Sequence, residues 1–420
     1  MHFTELTEEE FKSHAYKSAL VNYLQTPEMK RLRKKRGWQV VYVGVKDEQR
    51  VVASALLASI SIRFGKFFDI DGGFLADFTN EEVIGEFTKG IRDYIKRRKG
   101  IYLTIRPNIV YQKRDSKGKI LEEPNDSLFK LLTKFGYQHE RFKVGFVNET
   151  PRFVFVKDLS KLTKATLRES YQKDARYSVK KTMQFGISVR ELNYEQLPDF
   201  KRLTKHTAKR REFCDKPLEY YQAVYKAFGK KAKFMVAEIN LQTYINNLHK
   251  RIEELKTRLA KITEHLKNKP NSRKMLNQQQ EFSNQLQTYD KRIKDAIFFL
   301  QEAGEGNVLL AGALFIIGQR EIIYLFSGTY EKYKNFYAPF LLQDRMLHFA
   351  VKHDIPRYNF YGIDGTFYGI DGILKFKQSF SGYIEEKIGA FYLVISPVKY
   401  SIYMLWRCVL DKLKGGKQTF

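Results

Sequence analysis

Two consecutive heptad patterns within residues 241–302 constrain the fold of this 420-residue chain more than any other feature. In each pattern, side chains alternate at spacings of three and four residues, which is the seam of a coiled coil. The seam positions are Ile245, Leu248, Ile252, Leu255, Leu259, Ile262 and Leu266, then Met275, Gln279, Phe282, Leu286, Tyr289, Ile293, Ala296 and Leu300. Pro270 lies between the two patterns and cannot continue a helix. The sequence therefore predicts an antiparallel helical hairpin, with arms of about 40 Å.

The chain on either side of this hairpin alternates between strand-like and helical periodicity. Strand patterns cover 38–45, 50–62, 101–105, 142–147, 153–156, 187–192, 232–239, 308–317, 321–327, 358–361 and 391–396. Helical patterns cover 81–98, 127–135, 162–183, 197–211, 218–228, 339–352 and 399–414. This order predicts two α/β units, one over 1–150 and one over 151–240 and 303–395. The hairpin, 241–302, is inserted in the second unit, either as a spacer or oligomerisation arm or as an arm that grips RNA.

The charge of the chain indicates a polyanionic partner. Lys and Arg number 74 against 47 Asp and Glu, so the net charge is +27. RNA, a phosphorylated ligand and an anionic membrane all fit such an excess. Only Cys214 and Cys408 are present, no Cys/His cluster has zinc spacing, and the acidic first residues lack a signal-peptide pattern. We therefore expect a cytoplasmic protein that has no metal.

The last segment, 396–420, is predicted to form a helix that carries both aromatic and basic side chains. It is too short and too charged to span a bilayer. Two interpretations remain open, a helix that docks on the core and a helix that contacts anionic lipid.

Several catalytic motifs are absent from the sequence. There is no GxxxxGK[ST] phosphate loop and no GxSxG nucleophile elbow. Arg97–Gly100 begins like an acetyl-CoA loop, but bulky Ile101 and Tyr102 follow where a small residue is needed. These observations disfavour nucleotide hydrolysis, a serine nucleophile and conventional acetyl-CoA chemistry.

Three clusters of basic residues, two of them beside aromatic residues, are candidate phosphate-binding sites. The first lies on the helix predicted over 162–183. Its residues Lys164, Arg168, Arg176 and Lys180 are separated by multiples of four positions, which places them on one helix face, and Lys181 lies beside them. The second is Lys30–Arg36, which contains Lys34 and Lys35 and precedes Trp38. The third contains Lys209–Arg211 and Lys216, next to Tyr220. A single basic helix face is usually only solvated, but three such clusters favour binding of RNA or a polyphosphate.

One further group follows the strand pattern at 358–361. Gly362 permits a turn, and the chain returns through Lys375, Phe376 and Lys377. Either Phe376 is a core residue and the lysines are solvated, or Lys377 faces a cleft and neutralises an oxyanion or a phosphate.

These residues resemble the Fem family of aminoacyl-tRNA-dependent peptidyltransferases, most closely its streptococcal MurM/MurN branch. The family pattern is matched by Tyr358, Phe360, Gly362, Ile363, Phe376, Lys377, Phe380, Glu385 and Gly389. The resemblance implies two acetyltransferase-like (GNAT-like) subdomains with the coiled coil in the second. It also implies transfer of an amino acid, Ala or Ser rather than Gly, from aminoacyl-tRNA to a peptidoglycan precursor. The acceptor would be the stem-peptide lysine or the first branch residue of lipid II or UDP-MurNAc-pentapeptide.

The resemblance also implies roles for individual residues. Lys34 or Lys35 before Trp38, together with Lys216 and Tyr220, would hold the muropeptide phosphates. Lys216 stands where the family pattern has an arginine, so the paired N–H donors of a guanidinium are lost at this position. Arg211 would compensate for this loss. Tyr324 would contact the acceptor, and Phe376 and Lys377 would lie at the tRNA acceptor end and the reaction centre. Arg106 stands before Pro107 where the family has an acidic residue, so no general base is assigned.

The chemistry of this reaction fits the residues present. An aminoacyl ester is already activated, so no cofactor is expected and the protein must align the amine with the carbonyl. The expected partners are aminoacyl-tRNA, the muropeptide precursor, the anionic inner leaflet of the membrane and a copy of this chain or a related transferase. Two alternatives stay open, an RNA-binding module without catalysis and an N-acyltransferase that uses another acyl donor.

Overall fold

The computed structural model describes residues 1–142, 144–145, 150–367 and 372–413. In this part of the chain the strands, in order, are β1 (His2–Glu5), β2 (Gln39–Asp47), β3 (Arg50–Ile62), β4 (Gly65–Gly72), β5 (Leu75–Ala76), β6 (Gly100–Pro107), β7 (Val110–Arg114), β8 (Gln138–His139), β9 (Phe153–Asp158), β10 (Ser188–Glu191), β11 (Ala232–Asn240), β12 (Asn307–Ile317), β13 (Glu321–Thr329), β14 (Arg357–Ile363), β15 (Tyr383–Lys387) and β16 (Phe391–Val394).

The helices of the described residues are, in chain order, α1 (Glu8–Ala15), α2 (Pro27–Lys35), α3 (Glu81–Arg97), α4 (Asp126–Lys134), α5 (Lys173–Gln184), α6 (Leu197–Arg211), α7 (Leu218–Phe228), α8 (Leu241–Asn268), α9 (Arg273–Ala303), α10 (Ala338–Lys352), α11 (Gly372–Gln378) and α12 (Pro397–Leu413). Local signals account for many of their ends. Thr7 and Glu10 form a capping box at α1, and the Asn80 side chain accepts from the Val83 N–H to start α3.

Two mixed sheets divide the described strands between two halves of the molecule. The first sheet has the order β1-β2-β3-β4-β6-β16-β8, with β5 paired to β3. The second has the order β10-β11-β12-β13-β14-β9-β15-β7. Parallel pairing occurs between β4 and β6 and between β13 and β14, as expected where a helix crosses over between strands.

Each sheet contains a strand from the other half of the sequence. Strand β7, within the predicted first unit, pairs with β15 in the second sheet. Strand β16, within the predicted second unit, pairs with β6 in the first sheet. The two halves are therefore interlocked, because the chain crosses between them at both places.

The predicted helix over 162–183 is wrong in its first half. Helix α5 begins at Lys173, so Lys164 and Arg168 do not share a helix face with Lys180. Thr163 and Thr166 bond to each other's backbone in a local turn, and the Gln172 N–H donates 2.8 Å to the carbonyl of Ser379. These side-chain and long-range bonds replace the helical ones. Of the strand predicted at 142–147, Phe142, Val144 and Gly145 lie in no strand, and the rest falls outside the described residues.

The hairpin is formed by α8 and α9, which pack antiparallel. Arg292 donates to the Tyr244 hydroxyl near the base, and Gln279 reaches Thr263 farther out. The seam residues near the base, such as Ile252, belong to the core of the second half. Ile262 is still buried, but the seam positions at the tip, such as Leu266 and Met275, are only partly buried, so the hairpin projects from the second sheet.

Burial along the hairpin predicts a gradient of stability. Ile252 is 6% exposed, whereas Leu276 near the tip is 45% exposed. Truncating a buried Ile removes transfer energy and leaves a cavity, so Ile252→Ala is expected to lower the free energy of unfolding by about 2–5 kcal/mol. Leu276→Ala is the matched control, with an expected change of about 0.5 kcal/mol or less. Urea denaturation measures both, and equal losses would contradict this assignment of the hairpin base.

Candidate functional site

An open groove lies between the two halves of the molecule. Residues from both halves line it, and many of them are charged or aromatic. Among its lining residues are Tyr23, Arg106, Glu140, Arg152, Glu321, Asn359, Tyr361 and Lys387. Concave sites with a few convergent polar groups are typical of ligand binding, so this groove is the candidate site.

Tyr361 occupies a special position in the groove wall. Strand β14 contains a bulge between Asn359 and Gly362, and Tyr361 there has a φ of 64°. This left-handed conformation costs a residue with a side chain about 1–2 kcal/mol, and bulges commonly redirect a side chain beside an active site. The Tyr361 hydroxyl lies 3.2 Å from that of Tyr23, which comes from the first half. Burial raises the pKa of Tyr23 well above its usual value, so its hydroxyl stays protonated.

Lys377 lies beneath this bulge. Its side chain is buried, and its ammonium donates to the carbonyls of Tyr361 at 3.1 Å and Gly362 at 2.5 Å. Phe376 packs in an aromatic group with Phe340 and Phe380, so it is partly a core residue. Lys377 is not among the residues that line this groove, and its ammonium binds the two bulge carbonyls.

A buried ionic cluster lies at the first-half side of the groove. Arg33 of α2 donates to Asp69 at 2.8 Å and to Asp71 at 3.2 Å, and Arg106 donates to Asp69 at 2.7 Å. The Thr150 hydroxyl donates to Asp71. Burial opposes ionisation of Asp69, but the charges of Arg106 and Arg33 outweigh it and hold its pKa below the usual value. The cluster therefore fixes α2, with its basic end, to the first sheet.

This ionic cluster was not predicted, although the sequence contains a signal for it. Asp69 and Asp71 are two residues apart on β4, so their side chains point to the same face of the strand. Arg106 on the parallel neighbour β6 faces them. The family pattern has an acidic residue where this chain has Arg106. The carboxylates of Asp69 and Asp71 lie next to this position, on the neighbouring strand.

The structure brings the second and third basic clusters together. The exposed residues Lys34 and Lys35 end α2, and the next residue, Arg36, lies 5.4 Å from the ring of Tyr220. The ammonium of Lys216 lies 5.7 Å from the same ring. Burial is the largest cause of the raised pKa of Tyr23, the interaction with Tyr361 is the next, and Tyr220 contributes a smaller part. The cationic patch formed by Lys34, Lys35, Arg36 and Lys216 therefore adjoins the groove.

The remaining predicted acceptor residues, Trp38, Tyr324 and Arg211, have different surroundings. Trp38 packs edge-on against Phe67, with ring centroids 6.0 Å apart. Tyr324 stacks on Phe315 inside the second half and is not among the residues that line the groove. Burial raises the pKa of Tyr324 to about 12, and the charge of exposed Arg211 nearby opposes that rise. Arg211 and Tyr324 are thus neighbours of each other.

The first basic cluster is divided between two roles. Arg168 donates two hydrogen bonds, at 3.0 and 2.8 Å, to the fully buried carboxylate of Asp344, so it is a structural residue. Lys164, Arg176 and Lys180 are exposed. Burial lowers the pKa of Lys181, and the nearby charges of Arg292 and Arg251 on the hairpin lower it further.

Contacts between α5 and the hairpin base bring their basic residues onto one surface. Arg251 donates to the carbonyl of Gln184 at the end of α5, and the Arg292 guanidinium lies 4.5 Å from the ring of Phe185. We call Arg176, Lys180, Lys181, Arg251 and Arg292 the hairpin-base surface. It combines charges from two elements that are far apart in the sequence.

Comparison with known proteins defines the class of this protein. A profile of the FemAB family matches residues 6–407, so the chain belongs to the FemAB family. It is similar to aminoacyltransferase FemA of Staphylococcus epidermidis, with 28% identity over 99% of this chain and 100% of that protein. Aminoacyltransferase FemA of Staphylococcus aureus is 27% identical over 98% of this chain and 100% of its own length. The crystal structure of FemX aligns with a TM-score of 0.74 and 21% identity, covering 96% of this chain and 99% of that one.

These findings confirm the predicted family and fold. The chain is an aminoacyltransferase of the Fem family, with two GNAT-like α/β subdomains and a coiled-coil hairpin inserted in the second. No helix in the described ranges combines the length and apolarity needed to cross a bilayer.

A second ionic group below the groove predicts a pH dependence of stability. Glu385, 1% exposed, accepts from Arg357 at 2.6 and 2.7 Å and from Lys387 at 2.8 Å. Burial opposes ionisation, but Lys387 and Arg357 prevail and lower the pKa of Glu385 to about 2. A depressed folded-state pKa contributes stability above the unfolded pKa of about 4.3, and this contribution disappears as pH falls toward 2.

Glu385→Gln is therefore expected to reduce the free energy of unfolding at pH 7 and to remove this dependence. The difference between wild type and variant should shrink by roughly 3 kcal/mol between pH 5 and pH 2. Urea denaturation at a series of pH values measures the difference. A difference that stays constant across this range would contradict the depressed pKa.

Proposed function

We propose that this protein transfers an amino acid from aminoacyl-tRNA to an amine of a peptidoglycan precursor. The single observation that carries the proposal is the cationic patch around Tyr220, which adjoins a groove between the two halves of a full-length Fem-family chain. A patch that binds phosphate beside a groove that accommodates a peptide suits an acceptor with both parts.

The acceptor is lipid II or UDP-MurNAc-pentapeptide, and its diphosphate binds the cationic patch. Lys34, Lys35 and Lys216 supply charge, while Trp38 and Tyr220 offer rings for stacking on a sugar or a base. Arg211 adds an exposed cation on the second half, and Tyr324 packs on Phe315 near it. The stem peptide then lies in the groove. Its lining contains the negative charges of Glu140 and Glu321 and the positive charges of Arg106, Arg152 and Lys387.

The tRNA binds the hairpin-base surface. Backbone phosphates are recognised mainly by cationic side chains, and this surface supplies Arg176, Lys180, Lys181, Arg251 and Arg292. Lys164 extends it from outside α5, whereas Arg168 supports it through Asp344. The hairpin acts as an RNA-gripping arm in this arrangement, in preference to a spacer.

Transfer itself needs alignment more than activation. The amine attacks the ester carbonyl, the tRNA ribose oxygen leaves, and an amide forms without a cofactor. Alignment of the two reactants lowers the barrier by several kcal/mol, about 7 or more in favourable cases. Phe376 and Lys377 support the reaction centre from their positions next to the bulge in β14. The attacking amine must lose a proton, and no residue is assigned as its base.

The amino acid transferred is Ala or Ser rather than Gly, and the closest functional parallel is the MurM/MurN branch. The acceptor amine belongs to the stem-peptide lysine or to the first branch residue. We further propose that the protein works alongside a second copy or a related transferase.

Helix α12 supports a peripheral position on the inner face of the cell membrane. Tyr400 and Tyr403 pack on Tyr102 of the first sheet. The opposite face carries an exposed apolar stripe with helical spacing, formed by Val398, Ile402, Leu405 and Val409. Exposed Lys399 lies beside the stripe, whereas Arg407 lies on the face toward Tyr102. An apolar stripe with a cation beside it suits an anionic bilayer surface, which would bring the enzyme close to a lipid-linked acceptor.

A direct assay tests the proposed reaction. Incubation with charged tRNA and a muropeptide acceptor should add the mass of one amino acid, detected by mass spectrometry. Lys377→Met is expected to reduce transfer by about 100-fold or more, by analogy with the loss of other groups that organise a reaction centre. Lys375→Met, an exposed lysine on the same helix, is the matched control.

Each alternative function predicts a different outcome of this assay. Binding of tRNA without added mass would favour an RNA-binding module. Added mass only with an acyl-CoA donor would favour an N-acyltransferase. Full activity of Lys377→Met would remove Lys377 from the reaction.

The salt dependence of tRNA binding tests the hairpin-base surface. Replacement of Lys180 and Lys181 by Ala should lower the slope of log Kd against log salt concentration by roughly one unit per lysine. Lys130→Ala, an exposed lysine on α4 of the first half, should leave the slope unchanged. Filter binding at several salt concentrations measures the slopes, and an equal effect of all three lysines would contradict this surface.

A further inference from the structure

A row of four aromatic rings connects the hairpin-base surface with helix α11. Tyr177 of α5 begins this aromatic row, and its ring centroid lies 6.2 Å from that of Tyr337. Phe340 follows Tyr337 at 6.5 Å, and Phe376 of α11 follows Phe340 at 4.9 Å. Each ring meets the next edge-on, so the four rings are not stacked face to face on one another.

The aromatic row lies at the surface of the second half. Tyr177 is 52% exposed, and the other three rings are partly buried against the core of this half. Helix α5 packs against α10, and the Gln172 N–H just before α5 donates to the Ser379 carbonyl just after α11. These contacts join the three helices that carry the rings.

Tyr337 has an unfavourable backbone conformation in the middle of the aromatic row. Its φ is 57°, in the left-handed region, where a bulky residue is an outlier. It is also the N-cap of α10, a position at which Asn, Asp and Ser are preferred. Strained conformations persist only where the surroundings determine them, and they cluster at functional sites. The chain thus carries an aromatic ring at a position whose backbone favours a small polar residue.

Cations accompany the aromatic row where it begins. The Lys181 ammonium lies 5.4 Å from the centroid of the Tyr177 ring, and exposed Arg176 and Lys180 are on the same helix. Proteins that bind single-stranded nucleic acids combine such groups, because cations follow the phosphates while aromatic rings stack on the bases. A duplex keeps its bases stacked inside and offers its phosphates to cations. The aromatic row therefore suits a single strand, and the cations alone suit a duplex.

We propose that the aromatic row binds the unpaired 3′ end of the aminoacyl-tRNA. The paired stem lies on the hairpin-base surface, and the unpaired nucleotides stack on Tyr177, Tyr337 and Phe340. The strand then reaches Phe376, which the family resemblance assigns to the acceptor end of the tRNA together with Lys377. Stacking tolerates any base, so the aromatic row recognises a single strand and not a sequence. The inference rests on the proposed function, because it concerns the donor of that reaction.

Binding of two RNA probes tests the proposal. One probe is an uncharged alanine tRNA, and the other is the same tRNA trimmed of its unpaired 3′ nucleotides. Tyr177→Leu and Tyr337→Asn should each weaken binding of the intact tRNA about 10-fold, since one stack of a base on a ring has roughly this effect. Neither change should alter binding of the trimmed tRNA. Filter binding measures the four affinities and those of the wild type.

Matched variants separate loss of a ring from loss of structure. Asn suits both the left-handed conformation and the N-cap, so Tyr337→Asn should keep the melting temperature of wild type. Phe64→Asn is the control, because Phe64 is also left-handed, with a φ of 75°, and 44% exposed, but lies in the first half between β3 and β4. It should leave both affinities unchanged. Tyr177→Trp keeps an aromatic ring and should bind the intact tRNA within about threefold of wild type.

The salt dependence distinguishes stacking from charge. A ring neutralises no phosphate, so Tyr177→Leu should keep the wild-type slope of log Kd against log salt concentration. Replacement of Lys180 and Lys181 is expected to lower that slope.

Two results would overturn the proposal. An equal loss of affinity for the intact and the trimmed tRNA would reduce the aromatic row to a support of the hairpin-base surface. Equal affinity of the wild type for both RNAs would show that the unpaired end makes no contact. Failure of the proposed function is seen separately, as the absence of any amino acid added to the muropeptide by the wild-type enzyme.

Discussion

The exchange of one strand in each direction between the two sheets is the constraint on which the rest of the structure depends. Strand β7 joins the second sheet and β16 joins the first, so neither half completes its sheet without the other. The groove lies between sheets that are tied together by backbone hydrogen bonds. A site assembled from both halves can therefore keep its geometry, and an apolar cluster that contains Leu32 of the first half and Phe228 of the second adds to this connection.

Charged residues are arranged differently in the interior of the protein and on its surface. Buried cations pair with buried carboxylates, as Arg33 and Arg106 do with Asp69 and Asp71, and as Arg357 does with Glu385. Removing one partner of such a pair is strongly destabilising, because it leaves an uncompensated buried charge. The excess of positive charge is therefore displayed outside, on the cationic patch and the hairpin-base surface. Both surfaces are available to anionic partners for this reason.

Much of the fold was predictable because its signals are local. Helices α6 and α7 have the predicted bounds, since their apolar periodicity is continuous over three turns or more. The hairpin was predictable from its seam. The start of α5 was not, because a hydrogen bond from Gln172 to Ser379 joins residues about two hundred positions apart.

The candidate site was predicted in part, for similar reasons. The basic clusters at Lys34, Lys35 and Lys216 were recognisable by composition, but their meeting around Tyr220 depends on the packing of α2 on α7. Arg168 looked like its basic neighbours, and only its contact with Asp344 distinguishes it. Gly362 predicted a turn here, but the left-handed conformation falls on Tyr361 instead, which the sequence does not indicate. Its partners, Tyr23 and Lys377, come from distant parts of the chain.

The central claim is that the cationic patch and the groove hold the acceptor while the hairpin-base surface holds the tRNA. Photo-crosslinking tests it most directly, with a muropeptide that carries a photoreactive group at its acceptor amine and a tRNA labelled on its backbone. The account predicts muropeptide crosslinks on peptides that contain Tyr23 or Tyr361 and tRNA crosslinks on peptides from α5 and the hairpin base. Crosslinks of both ligands on one surface, or of the muropeptide outside the groove, would contradict it.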